Sequence, residues 1–252
     1  QGGHTSVMQD NINLAGGAQL TVQEGTLDLN GKVARIGENS GGGTLILQDG
    51  TITSGGAYAS FNIGNDGSNT GTVILEGGTL NLEDNISVNN GLLHIKPGVT
   101  VTRNNKNFIV RDAGTVKFDI DTFLGANPED ALSTWTSGGN DFALEDTSTL
   151  DLNFLNGADN GTVFTLFSGA EIFFVGTDVD GNYGDDGDVY TGEFGDVNVT
   201  GLAGDQSIEL TYTAESSLGA ADGTIIATVV PEPATMSLLA MGGIALLRRK
   251  RK

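Results

Sequence analysis

The sequence predicts an all-β chain. Residues 1–117 read as a right-handed parallel β-helix (β-solenoid) of about four coils, residues 118–228 as a small β-rich capping domain, and residues 229–252 as a transmembrane segment with a basic tail. Three observations carry this reading. Glycine supplies 39 of 252 residues and proline only 4. Pairs of apolar residues spaced two apart recur along the first half of the chain. A charge-free run near the carboxyl terminus is closed by five consecutive basic residues.

Abundant Gly with Thr, Val, Leu, Asn and Asp suits short strands joined by tight turns better than helices or disorder. Cysteine is absent, which excludes disulfides, Cys-based zinc sites, iron–sulfur clusters and thiol nucleophiles. The formal charge is −20, and Arg248, Arg249, Lys250, Arg251 and Lys252 are five of only twelve basic residues. No Lys or Arg lies between Phe118 and Leu247. That acidic stretch repels nucleic acid phosphates and anionic lipid, so nucleic acid is excluded as a partner.

The repeats define the body. Ala34 and Ile36, Phe61 and Ile63, Ile86 and Val88, Phe108 and Val110 form one series, at steps of 27, 25 and 22 residues. A second is Leu20 and Val22, Leu45 and Leu47, Val73 and Leu75, Leu93 and Ile95. A third follows five residues later, at Leu27, Ile52 and Leu80. Period-two alternation places each pair on one strand face, and Gly at the intervening corner adopts backbone angles other residues avoid. One copy cannot bury its face alone. Copies stacked about 4.8 Å apart align the three series into three parallel sheets around an apolar interior.

The third corner repeats Gly37-Glu38-Asn39, Gly64-Asn65-Asp66, Asn89-Asn90-Gly91 and Arg111-Asp112-Ala113. Amide side chains stacked there would bond from coil to coil. The competing antiparallel meander, with turns at Asp49-Gly50 and its counterparts, leaves the Phe61 series without a role.

Past Lys117 the composition changes, with nine of eleven Phe residues from Phe118 onward. Asn127-Pro128-Glu129-Asp130 reads as cap, first turn and acidic start of one short helix reaching about Trp135. Strands are expected at Thr149 to Phe154, Thr162 to Phe167, Asp196 to Thr200, Ser207 to Thr213 and Thr224 to Val229, forming a domain that closes the lower end of the solenoid.

Candidate chemistry is sparse. A glycosidase needs paired carboxylates at defined separation, and a lyase typically a basic residue beside calcium. The only histidines are His4 and His94, and His94 falls outward on a strand. No catalytic residue is assigned and the chain is read as non-enzymatic. One segment has metal character: Asp178, Asp180, Asn182, Asp185, Asp186 and Asp188 alternate with Gly in an acidic loop, as Ca²⁺ oxygen ligation requires. Tyr183 and Val189 depart from the EF-hand pattern, and a solvated acidic loop is the plain alternative.

From Ala234 to Leu247 fourteen residues carry no charge. As a helix they reach roughly 21 Å at about 1.5 Å each, short of a hydrocarbon core of roughly 30 Å. The apolar stretch Ile225 to Val230 and the snorkelling basic residues are expected to make up the deficit. By the positive-inside rule the basic cluster stays cytoplasmic and the body is exported. Pro231-Glu232-Pro233 is out of place in an anchor: Pro resists helix and Glu is costly in lipid. An extended, helix-resistant segment at a membrane surface suits the grip of a processing enzyme.

Val230-Pro231-Glu232-Pro233-Ala234-Thr235, the short span rich in Leu, Ala and Gly, and the terminal Arg-Arg-Lys-Arg-Lys together closely resemble the PEP-CTERM sorting signal of Gram-negative bacteria. The resemblance implies an envelope protein whose Pro231, Glu232 and Pro233 are recognised by an exosortase, a membrane transpeptidase-like enzyme, in hosts that often make exopolysaccharide. Arg248 to Lys252 would act as the membrane stop. Residues 16–118, as in Gly43-Thr44-Leu45-Ile46-Leu47 followed by Asp49-Gly50-Thr51-Ile52, resemble the β-strand repeats of autotransporter passenger regions. That second resemblance implies a structural or adhesive stalk at the outer surface or in the matrix, with a polysaccharide-binding or polysaccharide-degrading module as the alternative. The chain opens Gln1-Gly2-Gly3-His4 without a signal peptide, so a secretory signal and further coils are expected upstream.

Overall fold

The computed structural model describes residues 3–37, 41–54, 60–65, 69–104, 107–122, 134–138, 142–170, 173–174, 176–177, 189–213 and 223–232. The chain runs through β1 (Thr5–Val7), β2 (Ile12–Leu14), β3 (Gln19–Val22), β4 (Thr26–Asp28), β5 (Ala34–Ile36) and β6 (Gly43–Leu47). It continues with β7 (Thr51–Thr53), β8 (Phe61–Ile63), β9 (Gly71–Leu75), β10 (Thr79–Leu82), β11 (Ile86–Asn89) and β12 (Leu92–Ile95). Next come β13 (Thr100–Asn104), β14 (Phe108–Arg111), β15 (Thr115–Ile120), β16 (Thr134–Gly138), β17 (Phe142–Leu144), β18 (Thr149–Phe154) and β19 (Val163–Ala170). The last are β20 (Phe173–Phe174), β21 (Gly176–Thr177), β22 (Val189–Tyr190), β23 (Asp196–Thr200), β24 (Gln206–Thr213) and β25 (Gly223–Pro231).

Up to β20 every third strand pairs in parallel, and β23 then pairs with β18, so one sheet orders β1-β4-β7-β10-β13-β16-β19, a second β2-β5-β8-β11-β14-β17-β20 and a third β3-β6-β9-β12-β15-β18-β23. This is an all-β fold with parallel sheets, consistent with a β-solenoid, and no helix occurs among the described residues. The registers are those of the apolar series. Ala34 pairs with Phe61, Phe61 with Ile86, Ile86 with Phe108 and Phe108 with Phe142. Leu45 pairs with Val73, Val73 with Leu93, Leu93 with Val116 and Val116 with Leu150. All of these side chains are buried. A one-residue slip would turn every one of them to solvent, which is why register is tightly specified.

The corner glycines bring the coils close. Gly78 has φ +76, and a Cβ there would lie 2.2 Å from the Gly50 carbonyl oxygen. At the third corner Arg111 Nε donates to Asn89 Oδ1 at 3.2 Å, a coil-to-coil bond whose donor is a guanidinium and not a second amide. A second column lies just ahead of the second sheet, where Asn11 Oδ1 accepts from Val33 N–H and Asn85 Oδ1 from Asn107 N–H.

The boundary expected at residues 117 and 118 falls inside β15, and the same sheets run through it. What changes there is the filling of the interior. Phe167 lies 5.3 to 5.4 Å, centroid to centroid, from Phe108, Phe118 and Phe142, and Phe154 lies 5.5 Å from Phe164. Most of the expected helix from Asn127 lies outside the described residues, but Thr134 and Trp135 belong to β16 and not to a helix. Antiparallel pairing appears at the end of the first sheet, where β19, β25 and β24 follow in that order.

Candidate functional site

The strand that leads into Pro231 is built into the body. Along β25 residues alternate between core and surface: Ile225, Ala227 and Val229 are fully buried, and the residues between them are half-buried. β24 flanks it on one side in unbroken antiparallel register, from Thr213 opposite Thr224 to Gln206 opposite Pro231. β19 flanks it on the other, but its register stops at Val163 opposite Thr228. Just beyond, Val229 donates to the Thr162 oxygen at 2.9 Å and accepts from Gly161 N–H at 2.7 Å. The stretch Ile225 to Val230 is therefore a strand of the folded body and does not lengthen the membrane span. Its alternation lies in burial, with Ile225, Ala227 and Val229 turned inward and the residues between them half-buried, as on a strand facing a core.

Alternation fixes how the signal is held. Glu232 N–H donates to the Asp205 oxygen at 2.8 Å, toward β24. Backbone groups of successive strand residues point to opposite sides, so the N–H that Pro231 lacks belongs to the β19 side. There the β19 register has already ended, and a proline costs no ladder bond. Gln206, opposite Pro231, braces this point: its Nε2 donates to the Ala158 oxygen at 2.8 Å and Asn160 Oδ1 at 3.1 Å, and its Oε1 accepts from Ala203 N–H at 3.1 Å. Pro231 and Glu232 are themselves exposed. Beside them an open groove of about 450 Å³ between β23 and β24 is lined by Val197, Val199, Leu202 and Ile208 among others. Val197 and Val199 sit at core-facing positions of the last strand in their sheet.

The other sequence-selected residues fall elsewhere. Pro233, the span from Ala234, the stop Arg248 to Lys252, and the loop residues Asp178, Asp180, Asn182, Asp185, Asp186 and Asp188 lie outside the described residues. Among the described residues no helix is long and apolar enough to cross a membrane, and no cluster of three His, Cys, Asp or Glu side chains forms a metal site.

One polar constellation was not anticipated. On the outer face of the third sheet His94 Nε2 lies 2.8 Å from Asp119 Oδ2, Asn153 Nδ2 donates to Asp119 Oδ1 at 2.8 Å, and Thr200 Oγ1 donates to Asn153 Oδ1 at 3.0 Å. Burial pushes the Asp119 carboxyl up, but the hydrogen bonds from Asn153 and His94 outweigh it and hold the group below the ordinary aspartate value. Nearby, Lys96 Nζ lies 2.6 Å from Glu76 Oε1, and the hydrogen bonds from Lys96 and Gln48 lower the Glu76 pKa. The signal for this ladder was present in the sequence: Asp119, Asn153 and Thr200 fall on matching positions of successive coils, with His94 diagonally across from Asp119, opposite Lys117. It became legible only once the copies beyond residue 117 were in register.

The class of protein defined so far is a parallel-sheet β body in which the last described strand carries the exposed Pro231 and leads to the exposed Glu232. Residues 229–252 match the family model of the PEP-CTERM protein-sorting motif. Such a motif marks a protein exported as a membrane-associated precursor and processed by an exosortase. No curated protein and no solved structure matches the chain.

Proposed function

We propose that the chain is a structural or adhesive protein of the cell envelope or extracellular matrix, with a β-solenoid body delivered through Pro231-Glu232-Pro233 by an exosortase-like transpeptidase. The observation that carries this reading is the match at residues 229–252, joined at Glu232 to a folded body. The segment from Ala234 crosses the inner membrane as a short helix, with Arg248 to Lys252 on the cytoplasmic side, and is removed on processing. A fourteen-residue span without help from β25 falls short of the bilayer, which suits an anchor that holds the precursor only until it is cut. The body then passes to the outer surface or matrix, where exopolysaccharide is the expected neighbour.

In this reading the body itself is non-catalytic. His94 and Asp119 are the one close imidazole–carboxylate pair among the described residues, and Asn153 and Thr200 extend it along the coils, with the Thr200 hydroxyl bonded to Asn153 and not to the imidazole. The pair ties coils together.

The test replaces Pro231-Glu232-Pro233 by Ala-Ala-Ala in a host that has the sorting enzyme. Export persists, because the span and basic stop are intact, while the mutant keeps Lys252 and stays in the inner membrane. A wild-type chain that also retains Lys252 in the inner-membrane fraction overturns the assignment; carboxyl-terminal mass and membrane fractionation read the result.

A further inference from the structure

Resting on that sorting reading, we propose that the terminal rung of the β24–β25 ladder is a latch that must open before the signal can be cut. An enzyme that grips an extended substrate does so through its backbone edges. The β19-side edge of the signal offers no donor at Pro231, because proline has no N–H. The donor at Glu232 points the other way, and the Asp205 oxygen occupies it at 2.8 Å. The single edge on which strand pairing can use the Glu232 donor is thus the edge the body already holds.

The latch is braced from the body's side. Gln206 opposite Pro231 is anchored to Ala158, Asn160 and Ala203, so residues 203–206 are held in place rather than left to swing with the tail. Above it the ladder is secured by the buried Ile225, Ala227 and Val229, whereas Pro231 and Glu232 are exposed. Opening is therefore confined to the rungs at Val230 and beyond, a local event of low cost compared with unfolding the body. Cutting that depends on such an opening follows the population of the open form when closing is fast. Gln206 is in this sense a positioning residue for the sorting reaction.

The chain has no cysteine, so a paired substitution gives a clean lock. Ser207 and Val230 face each other across the hydrogen-bonded rung nearest the signal, at a separation a disulfide spans. In membranes holding the sorting enzyme, the Ser207→Cys, Val230→Cys chain is expected to be cut at least about tenfold more slowly when oxidised than when reduced. The same lock two rungs inward, Glu209→Cys with Thr228→Cys, is expected to leave cutting unchanged.

Gln206→Ala, without any cysteine, is expected to speed cutting about threefold or more while the melting temperature of the body stays within a few degrees. Equal cutting of the oxidised and reduced terminal lock overturns the latch. If the reduced lock is itself uncut, Gln206→Ala decides: unchanged or slower cutting overturns the proposal and faster cutting upholds it. A wild-type chain left uncut overturns the sorting reading instead, and the two failures are told apart by that control.

Discussion

At the scale of single residues the structure separates side chains that fill the interior from those that tie coils together outside it. Phe167 is the hub of the aromatic interior, in contact with Phe108, Phe118, Phe142 and Phe194. Phe167→Ala is expected to lower stability by about 3 to 5 kcal/mol, with Phe167→Leu losing less, as read by denaturant unfolding. Asp119 acts on the outside. Its folded-state pKa lies below the ordinary aspartate value of 3.8, so its contribution to stability is present above that value and is lost as pH falls through the folded pKa. The Asp119→Asn chain should therefore lose less melting temperature than wild type between pH 6 and about pH 2.5. Equal losses would show that the ladder from His94 to Thr200 contributes no pH-dependent stability. Gly78, with φ +76 and the Gly50 oxygen where a Cβ would go, shows at one position why the corners of this chain are glycine.

Elements of three to six residues make most of the stack, and none could stand alone. Their stability comes from the neighbours above and below, and the sequence announces this through registered apolar pairs, not through the propensity of any one strand. β25 is the exception in length and in role. It is nine residues long, is paired on both sides, and carries the core residues Ile225, Ala227 and Val229 up to the sorting signal. A chain ending at Glu232 is expected to keep the melting temperature of the exported body within about 2 °C, since it retains all of β25 and the Glu232 bond to the Asp205 oxygen, the last hydrogen bond to the body among the described residues. A chain ending at residue 222 removes β25, uncovers the Phe-rich interior along β19, and should aggregate or fail to fold. Similar melting of both truncations would mean that β25 is a dispensable flap; circular dichroism and light scattering distinguish the outcomes.

For the whole molecule, the apolar series gave the stacking and its register, because one face of every strand must be buried and period two leaves a single way to do so. The shift to Phe after residue 117 falls within β15, where the sheets run on, because composition reports what fills an interior and not which sheet surrounds it. The tripeptide was legible as a helix-resistant signal from three residues, since proline and glutamate act locally. A strand from Thr224 to Val229 was legible, but that it runs on to Pro231 and holds Glu232 through the Asp205 oxygen was not. Ile225 to Val230 reads equally as an apolar flank of an anchor or as half of an antiparallel pair, and the choice depends on β24 and β19 being there to receive it. The outer ladder from His94 through Asp119 and Asn153 to Thr200 likewise joins residues far apart in the chain, and only the registers bring them within reach, Asp119, Asn153 and Thr200 level with one another and His94 diagonally across from Asp119. The sequence by itself determined the all-β class, the parallel register and the presence of a sorting signal, because these follow from local chemistry repeated along one axis. Only the tertiary structure decided where the body ends and how it holds that signal, because an edge is paired or free according to which distant strands reach it.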